Sequence, residues 1–204
     1  MTKTNIRTPF FVFNPKSYLF GENLLELVRA ADTLAEEFPI SIFVTAPFAD
    51  ITAVSSNSKN IIVTAQHLDG IYPDKGMGHV LPESLYEAGA RAVFLNHAER
   101  PLTLNGLAKA IKRAAELEII TIVCADSIAE AKAITMLKPD IILCEPSELI
   151  GTGKTSDESY VKETIEAVKS LNPNVLVMQA AGISTADDVY RTILLQADGV
   201  GCAS

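Results

Sequence analysis

The chain has 204 residues, 48% of them hydrophobic and 21% charged, with a formal net charge of −8. Such material supports one sizeable core and excludes a disordered chain. The acidic balance and three scattered histidines leave no basic patch for a polynucleotide, so no nucleic-acid partner is expected, whereas a small anionic ligand is compatible with it.

In chain order, a β-rich run at 10–13 precedes helical spacing at 22–37, and a run at 40–45 precedes a weaker helical stretch at 50–55. A third run, 61–64, leads through a Pro- and Gly-rich loop at 69–78 to a short helix at 82–88. Runs at 92–95, 119–124, 141–144 and 175–178 are followed by helical spacing at 104–117, 128–137, 156–171 and 185–195, and 199–202 is the last run. The cysteines Cys124, Cys144 and Cys202 lie within these runs and form no CxxC pair, which fits reduced core thiols in a cytoplasmic protein. Residues 1–8 are polar and no run approaches the ~18 apolar residues of a membrane span, so neither export nor a membrane partner is expected.

Strands alternating with helices imply parallel pairing with right-handed crossovers, and eight of them favour an α/β fold closed into a (β/α)8 barrel. The rival, a doubly wound open sheet, lacks its main signal, because the first strand-to-helix turn Asn14-Pro15-Lys16-Ser17 carries no GxGxxG. Residues 1–204 are expected to form a single domain, incomplete at its C-terminus. Such barrels usually take about 250 residues, and here nothing follows the eighth strand that could supply an eighth helix. An outward groove beside the first and last strands, lined by some of Phe10, Val12, Val200 and Cys202, is the corresponding expectation.

Barrel active sites are built at the C-terminal ends of the strands. Asn14 and Lys16 follow the first strand, Asn96, His97, Glu99 and Arg100 the fourth, and Glu145 and Pro146 the sixth, ahead of Gly151-Thr152-Gly153-Lys154. A lone lysine, glutamate or histidine at such a point is usually structural or solvated. Together, a carboxylate, an imidazole and an ammonium at one mouth form a base, an electrophile and an anion clamp, the set needed to move a proton beside a carbonyl. Gly151 and Gly153 bracket Thr152 as the end of a closing lid would. Ala181-Gly182-Ile183-Ser184, ahead of a helix start at Thr185, offers backbone N–H groups to an anion, although glycine before a Ser/Thr cap is also an ordinary helix start.

These residues, in this order, resemble the triosephosphate isomerase family, particularly its short archaeal-type form, over nearly the whole chain. The motifs are Asn14-Pro15-Lys16, Ala65-Gln66-His67, Gly78-His79-Val80-Leu81-Pro82-Glu83, Asn96-His97-Ala98-Glu99-Arg100-Pro101, the stretch from Glu145 through Ser147-Glu148-Leu149-Ile150 to Gly153, and Ala181 to Ser184. The resemblance implies a TIM barrel and an enzyme interconverting dihydroxyacetone phosphate and glyceraldehyde 3-phosphate through an enediolate, with no metal or organic cofactor. It makes Glu145 the base, His97 the neutral acid and Lys16 the cation, with Asn14 orienting the oxygen site and Glu99 supporting the polar network. Gly151, Gly182, Ile183 and Ser184 join Asn14 and Lys16 in holding the phosphorylated sugar. Loop 71–78 resembles the segment that reaches into a neighbouring subunit, implying a homodimer or homotetramer. Two positions depart from the pattern: Ala98 stands where the family has serine, and Met77 where it has threonine. Two rival readings therefore remain open, an isomerase of another small ketose phosphate such as a tetrulose phosphate, and a catalytically silent phosphosugar-binding or truncated barrel.

Overall fold

A computed structural model of the chain describes residues 3–146 and 157–203. Its elements alternate as β1 (Phe10–Phe13), α1 (Gly21–Glu37), β2 (Ser41–Ala46), α2 (Ile51–Ser56), β3 (Ile62–Ala65), α3 (Pro82–Glu87), β4 (Ala92–Leu95), α4 (Leu104–Glu116), β5 (Ile120–Ala125), α5 (Ile128–Thr135), β6 (Ile141–Cys144), α6 (Glu158–Leu171), β7 (Leu176–Gln179), α7 (Ala186–Leu194) and β8 (Gly199–Cys202). Every neighbouring pair of strands is parallel, and β8 returns to β1, so the sheet closes as an eight-stranded barrel. No described helix is long and apolar enough to cross a membrane.

The apolar residues divide between two cores. Side chains including Phe10, Val12, Phe43, Ile62, Phe94, Ile122, Leu143 and Met178 fill the barrel, while a larger cluster packs the outer strand faces against the helices. The strands are buried on both faces, which explains why their sequences read as continuous apolar runs. At β8 the glycines make room: a Cβ on Gly199 would lie 2.3 Å from the Phe10 ring, and one on Gly201 would lie 2.9 Å from the Val12 carbonyl.

That packing corrects which residues would line an outward groove. Phe10 and Val12 point into the barrel, and the alternation of the pleat sends Phe11 and Phe13 outward, their ring centroids 4.7 Å apart. Val200, paired with Phe11, is buried rather than exposed, and Cys202 is half-buried.

β2, β3, β5 and β7 each begin one residue later than the apolar pattern predicts. The residues at the expected starts have their N–H groups bonded outside the strand ladder: Ile40 to Phe38 O, Ile119 to Ala114 O and Val175 to Asn172 O nearby in sequence, and Ile61 to Asp32 Oδ1 on α1. Helix starts follow local chemistry too. Thr103 and Ser127 cap α4 and α5, and Thr185 with Asp188 forms a reciprocal capping box on α7.

Candidate active site

The C-terminal strand ends surround a cavity of 520 Å³. Asn14 and Lys16 from beyond β1, His97 and Glu99 from beyond β4, and Glu145 from the end of β6 line it, joined by Gly182, Ile183 and Ser184 from beyond β7. Its wall includes Val12, Phe94, Leu143 and Met178, so polar groups converge over an apolar floor. Gly151 and the lid motif lie outside the described residues.

Lys16 has a left-handed backbone, φ 48°, unusual for a residue with a side chain. Its N–H donates to Asn14 Oδ1 at 3.3 Å, and its carbonyl accepts from Gln66 Nε2 at 2.7 Å. The Nζ ammonium donates to Glu99 Oε1 at 2.7 Å. That bond holds the Glu99 carboxyl below the ordinary carboxylate range.

His97 Nδ1 accepts the backbone N–H of Glu99 at 3.1 Å, which puts the proton of a neutral ring on Nε2. Burial lowers its basicity and the Lys16 charge adds to that, with Glu99 opposing. The lowered basicity favours the neutral ring, whose Nε2–H can still donate a hydrogen bond to a developing oxyanion.

Glu145 is placed by its N–H, which donates to Ala125 O at 3.0 Å from the end of β5. Burial pushes its carboxyl above the ordinary value, against the pull of Lys16. Such a shift raises the strength of a carboxylate as a base. Behind it lies a second cavity, of 300 Å³, whose walls include Ala98, Asn96, Cys124 and Glu130. Cys124 and Cys144 are buried free thiols, the latter pushed by burial up to about 12.

The loop beyond β7 is partly committed to its own helix. Ser184 and Thr185 donate their N–H groups to Asp188 Oδ2 at 3.2 and 2.9 Å, and Ile183 N–H reaches Ala180 O at 3.3 Å. An anion approaching Ser184 therefore meets the Asp188 carboxylate as a competitor for that donor.

Sequence reasoning did not assign roles to Gln66 and Asn96. Gln66 is recognisable only through the carbonyl of Lys16, fifty residues earlier, and Asn96 only through its partners on β5 and α5. Thr45 was also missed: near the C-terminal end of β2, it has a buried hydroxyl with no hydrogen-bond partner among the described residues, and it lines a 230 Å³ cavity shared with Lys16 and His97. No group of three or more His, Cys, Asp or Glu among the described residues is arranged to hold a metal ion.

The sequence model of the family described as Triosephosphate isomerase matches residues 9–204. A Triosephosphate isomerase of Methanobacterium bryantii is 40% identical over 202 aligned residues, covering 97% of this chain and 89% of the relative. Those of Methanothermus fervidus and Methanocaldococcus jannaschii are each 38% identical, covering 96% and 95% of this chain and 90% of each relative. With the barrel closed and a lysine, a histidine and two glutamates gathered at its mouth, the chain belongs to the triosephosphate isomerase family.

Proposed function

We propose that the chain interconverts dihydroxyacetone phosphate and glyceraldehyde 3-phosphate, with Glu145, His97 and Lys16 as its catalytic residues. The observation that carries the reading is the pairing, across one cavity, of a carboxylate made more basic by burial with an imidazole kept neutral by burial and a nearby ammonium. Pairing a glutamate base with a neutral histidine is the pattern for which this family is the standard example, and family membership supports these roles.

Glu145 takes a proton from the carbon beside the substrate carbonyl and, as a carboxylic acid whose proton exchanges with solvent, delivers a proton to the neighbouring carbon. Nε2–H of His97 polarises the carbonyl oxygen and gives it a proton, the ring then taking the hydroxyl proton from the adjacent oxygen so that both oxygens end in the product's protonation state, and the Lys16 ammonium balances the enediolate and phosphate charge. Glu99 fixes the Lys16 head, and Asn14 orients the oxygen site through its contact with the Lys16 backbone. Gly151, Gly182, Ile183 and Ser184 hold the phosphate. A coupled assay in both directions tests the activity: turnover of either triose phosphate supports the reading, and its absence at micromolar enzyme contradicts it. A tetrulose phosphate in the same assay, turned over faster than both trioses, would move the substrate assignment.

The proposal includes glycolysis and gluconeogenesis as the setting and the cytoplasm as the compartment, one that suits three free cysteines. A homodimer or homotetramer is part of the proposal. Gly70 packs so closely on α4 that a Cβ would lie 2.4 Å from that of Lys109, and Arg113 donates to Ile71 O at 2.8 Å with its guanidinium 3.9 Å from the Tyr72 ring centroid. The loop so fastened leaves Met77 fully exposed, a side chain suited to burial against a second copy. A monomer mass by light scattering at micromolar concentration would count against the oligomer.

A further inference from the structure

β4 ends at Leu95, and the next residue, Asn96, has a left-handed backbone with φ 57°. The turn so formed carries His97, whose imidazole, among the described residues, is bonded within its own loop by the Glu99 N–H. The Asn96 side chain supplies the external attachment. Its Oδ1 accepts the Leu102 N–H at 2.9 Å, closing residues 97–101 into a ring. Its Nδ2 donates to Cys124 O at the end of β5 and to Glu130 Oε1 on α5, each at 3.1 Å.

Glu130 is itself fixed. Its other oxygen accepts the Asp126 N–H at 2.7 Å, and its own N–H donates to the Ser127 cap at 3.2 Å. The carboxylate thus joins the start of α5 to the loop that carries the histidine. The carbonyl next to that of Cys124, Ala125 O, accepts the Glu145 N–H at 3.0 Å. Two adjacent carbonyls of β5 therefore locate the two groups that must face the substrate from different strands: one holds Asn96, immediately before His97, and the other holds Glu145.

We propose that Asn96, held by Glu130, is a positioning residue that sets the His97 imidazole relative to Glu145. The inference rests on the proton-transfer reading of the site. It adds a reason for two uncharged or distant partners, neither of which touches the reacting atoms, to control the rate. Both partners line the 300 Å³ cavity with His97 and Glu145, so their loss leaves open space into which the loop can relax.

The test compares Asn96→Gly, Asn96→Asp, Glu130→Gln and the double variant Asn96→Asp/Glu130→Gln with the parent, measuring kcat and KM separately and titrating the His97 ring by nitrogen NMR. Glycine accepts the left-handed backbone without strain, so Asn96→Gly removes the side-chain bonds and spares the turn. A displaced reacting group costs up to about 10²-fold, and the expected result is a kcat loss of that order with KM close to the parent's. Asn96→Asp puts a carboxylate against Glu130 and should lose more. Adding Glu130→Gln restores a donor–acceptor pair and should recover part of the loss. In the NMR titration the His97 ring should change its midpoint in Asn96→Gly.

Parental kcat and an unchanged His97 titration in Asn96→Gly would overturn the proposal, as would a double variant no faster than Asn96→Asp. A parent without triose phosphate turnover would instead overturn the isomerase reading, and the His97 titration would still decide the positioning claim.

Discussion

Lys16 and Glu99, separated by 83 positions in the sequence, meet across the cavity mouth in a 2.7 Å hydrogen bond in which the lysine side chain is 18% exposed and the glutamate 67%. The bond joins the loop beyond β1 to the loop beyond β4 and brings the ammonium close enough to His97 to lower its basicity. Because Glu99 is so exposed, solvent screens the pair, and Glu99→Gln should change stability by less than ~1 kcal/mol. Its effect belongs in catalysis. Freeing the Lys16 head should lower kcat/KM by about tenfold, the equivalent of ~1.4 kcal/mol, and Lys16→Ala should lower it further. Equal losses in the two variants would show that the lysine acts only through its bond to Glu99.

Glu145→Gln separates chemistry from folding. The amide keeps the shape and loses the basicity, so turnover should fall by at least about 10²–10⁴-fold. Stability should move the other way. The folded carboxyl is pushed up, so ionising it within the fold is unfavourable, and stability is lost as pH rises from the ordinary glutamate value of about 4.3 through the raised folded value. The variant should therefore melt higher than the parent at neutral pH, with the difference vanishing below about pH 4 where the parent's carboxyl is protonated in the folded and unfolded chain alike. A lower melting temperature at neutral pH would contradict the placement of a buried, ionisable base.

The pH profile of kcat/KM should carry the same signature. Its acid limb should lie above the ordinary glutamate range, because Glu145 must lose its proton to act. His97 shifts downward and so stays neutral as pH falls past the ordinary histidine value of about 6.5. Protonating it within the fold is disfavoured relative to the unfolded chain, so its contribution to stability is lost as pH falls through that ordinary value. In His97→Gln this part of the stability profile should flatten. An unchanged profile would mean that the ring titrates freely.

Gly199 offers a test of the barrel interior remote from the chemistry. A Cβ there would lie 2.3 Å from the Phe10 ring, so Gly199→Ala forces that ring to move and should destabilise by about 1–3 kcal/mol in denaturant unfolding. Combining it with Phe10→Leu should recover part of the loss. Additive losses would show that the two side chains do not compete for one space.

The sequence makes the barrel readable because strands buried on both faces leave continuous apolar runs, and helices between them leave spacing and caps. The same property hides orientation. In Phe10-Phe11-Val12-Phe13 both faces are apolar, so period-two alternation cannot distinguish interior from exterior, and Phe10 and Val12 were assigned to the wrong side. Strand starts shifted at Ile119 and its counterparts because apolarity reports burial, whereas the ladder depends on which N–H groups are bonded elsewhere. Lys16, His97 and Glu145 were legible because topology collects strand ends at one mouth. The roles of Gln66 and Asn96 were not, because they lie in bonds to backbone atoms distant in sequence, and no local pattern encodes the left-handed turns at Lys16 and Asn96.

The most direct measurement is proton exchange during turnover: dihydroxyacetone phosphate is incubated with the chain in deuterated water and followed by proton NMR, with Glu145→Gln alongside. The account predicts glyceraldehyde 3-phosphate carrying solvent deuterium at the carbon beside the carbonyl, and an exchange rate at least about 10²-fold lower in the variant. Exchange equally fast in Glu145→Gln, or no exchange and no isomer from the parent, would contradict the account.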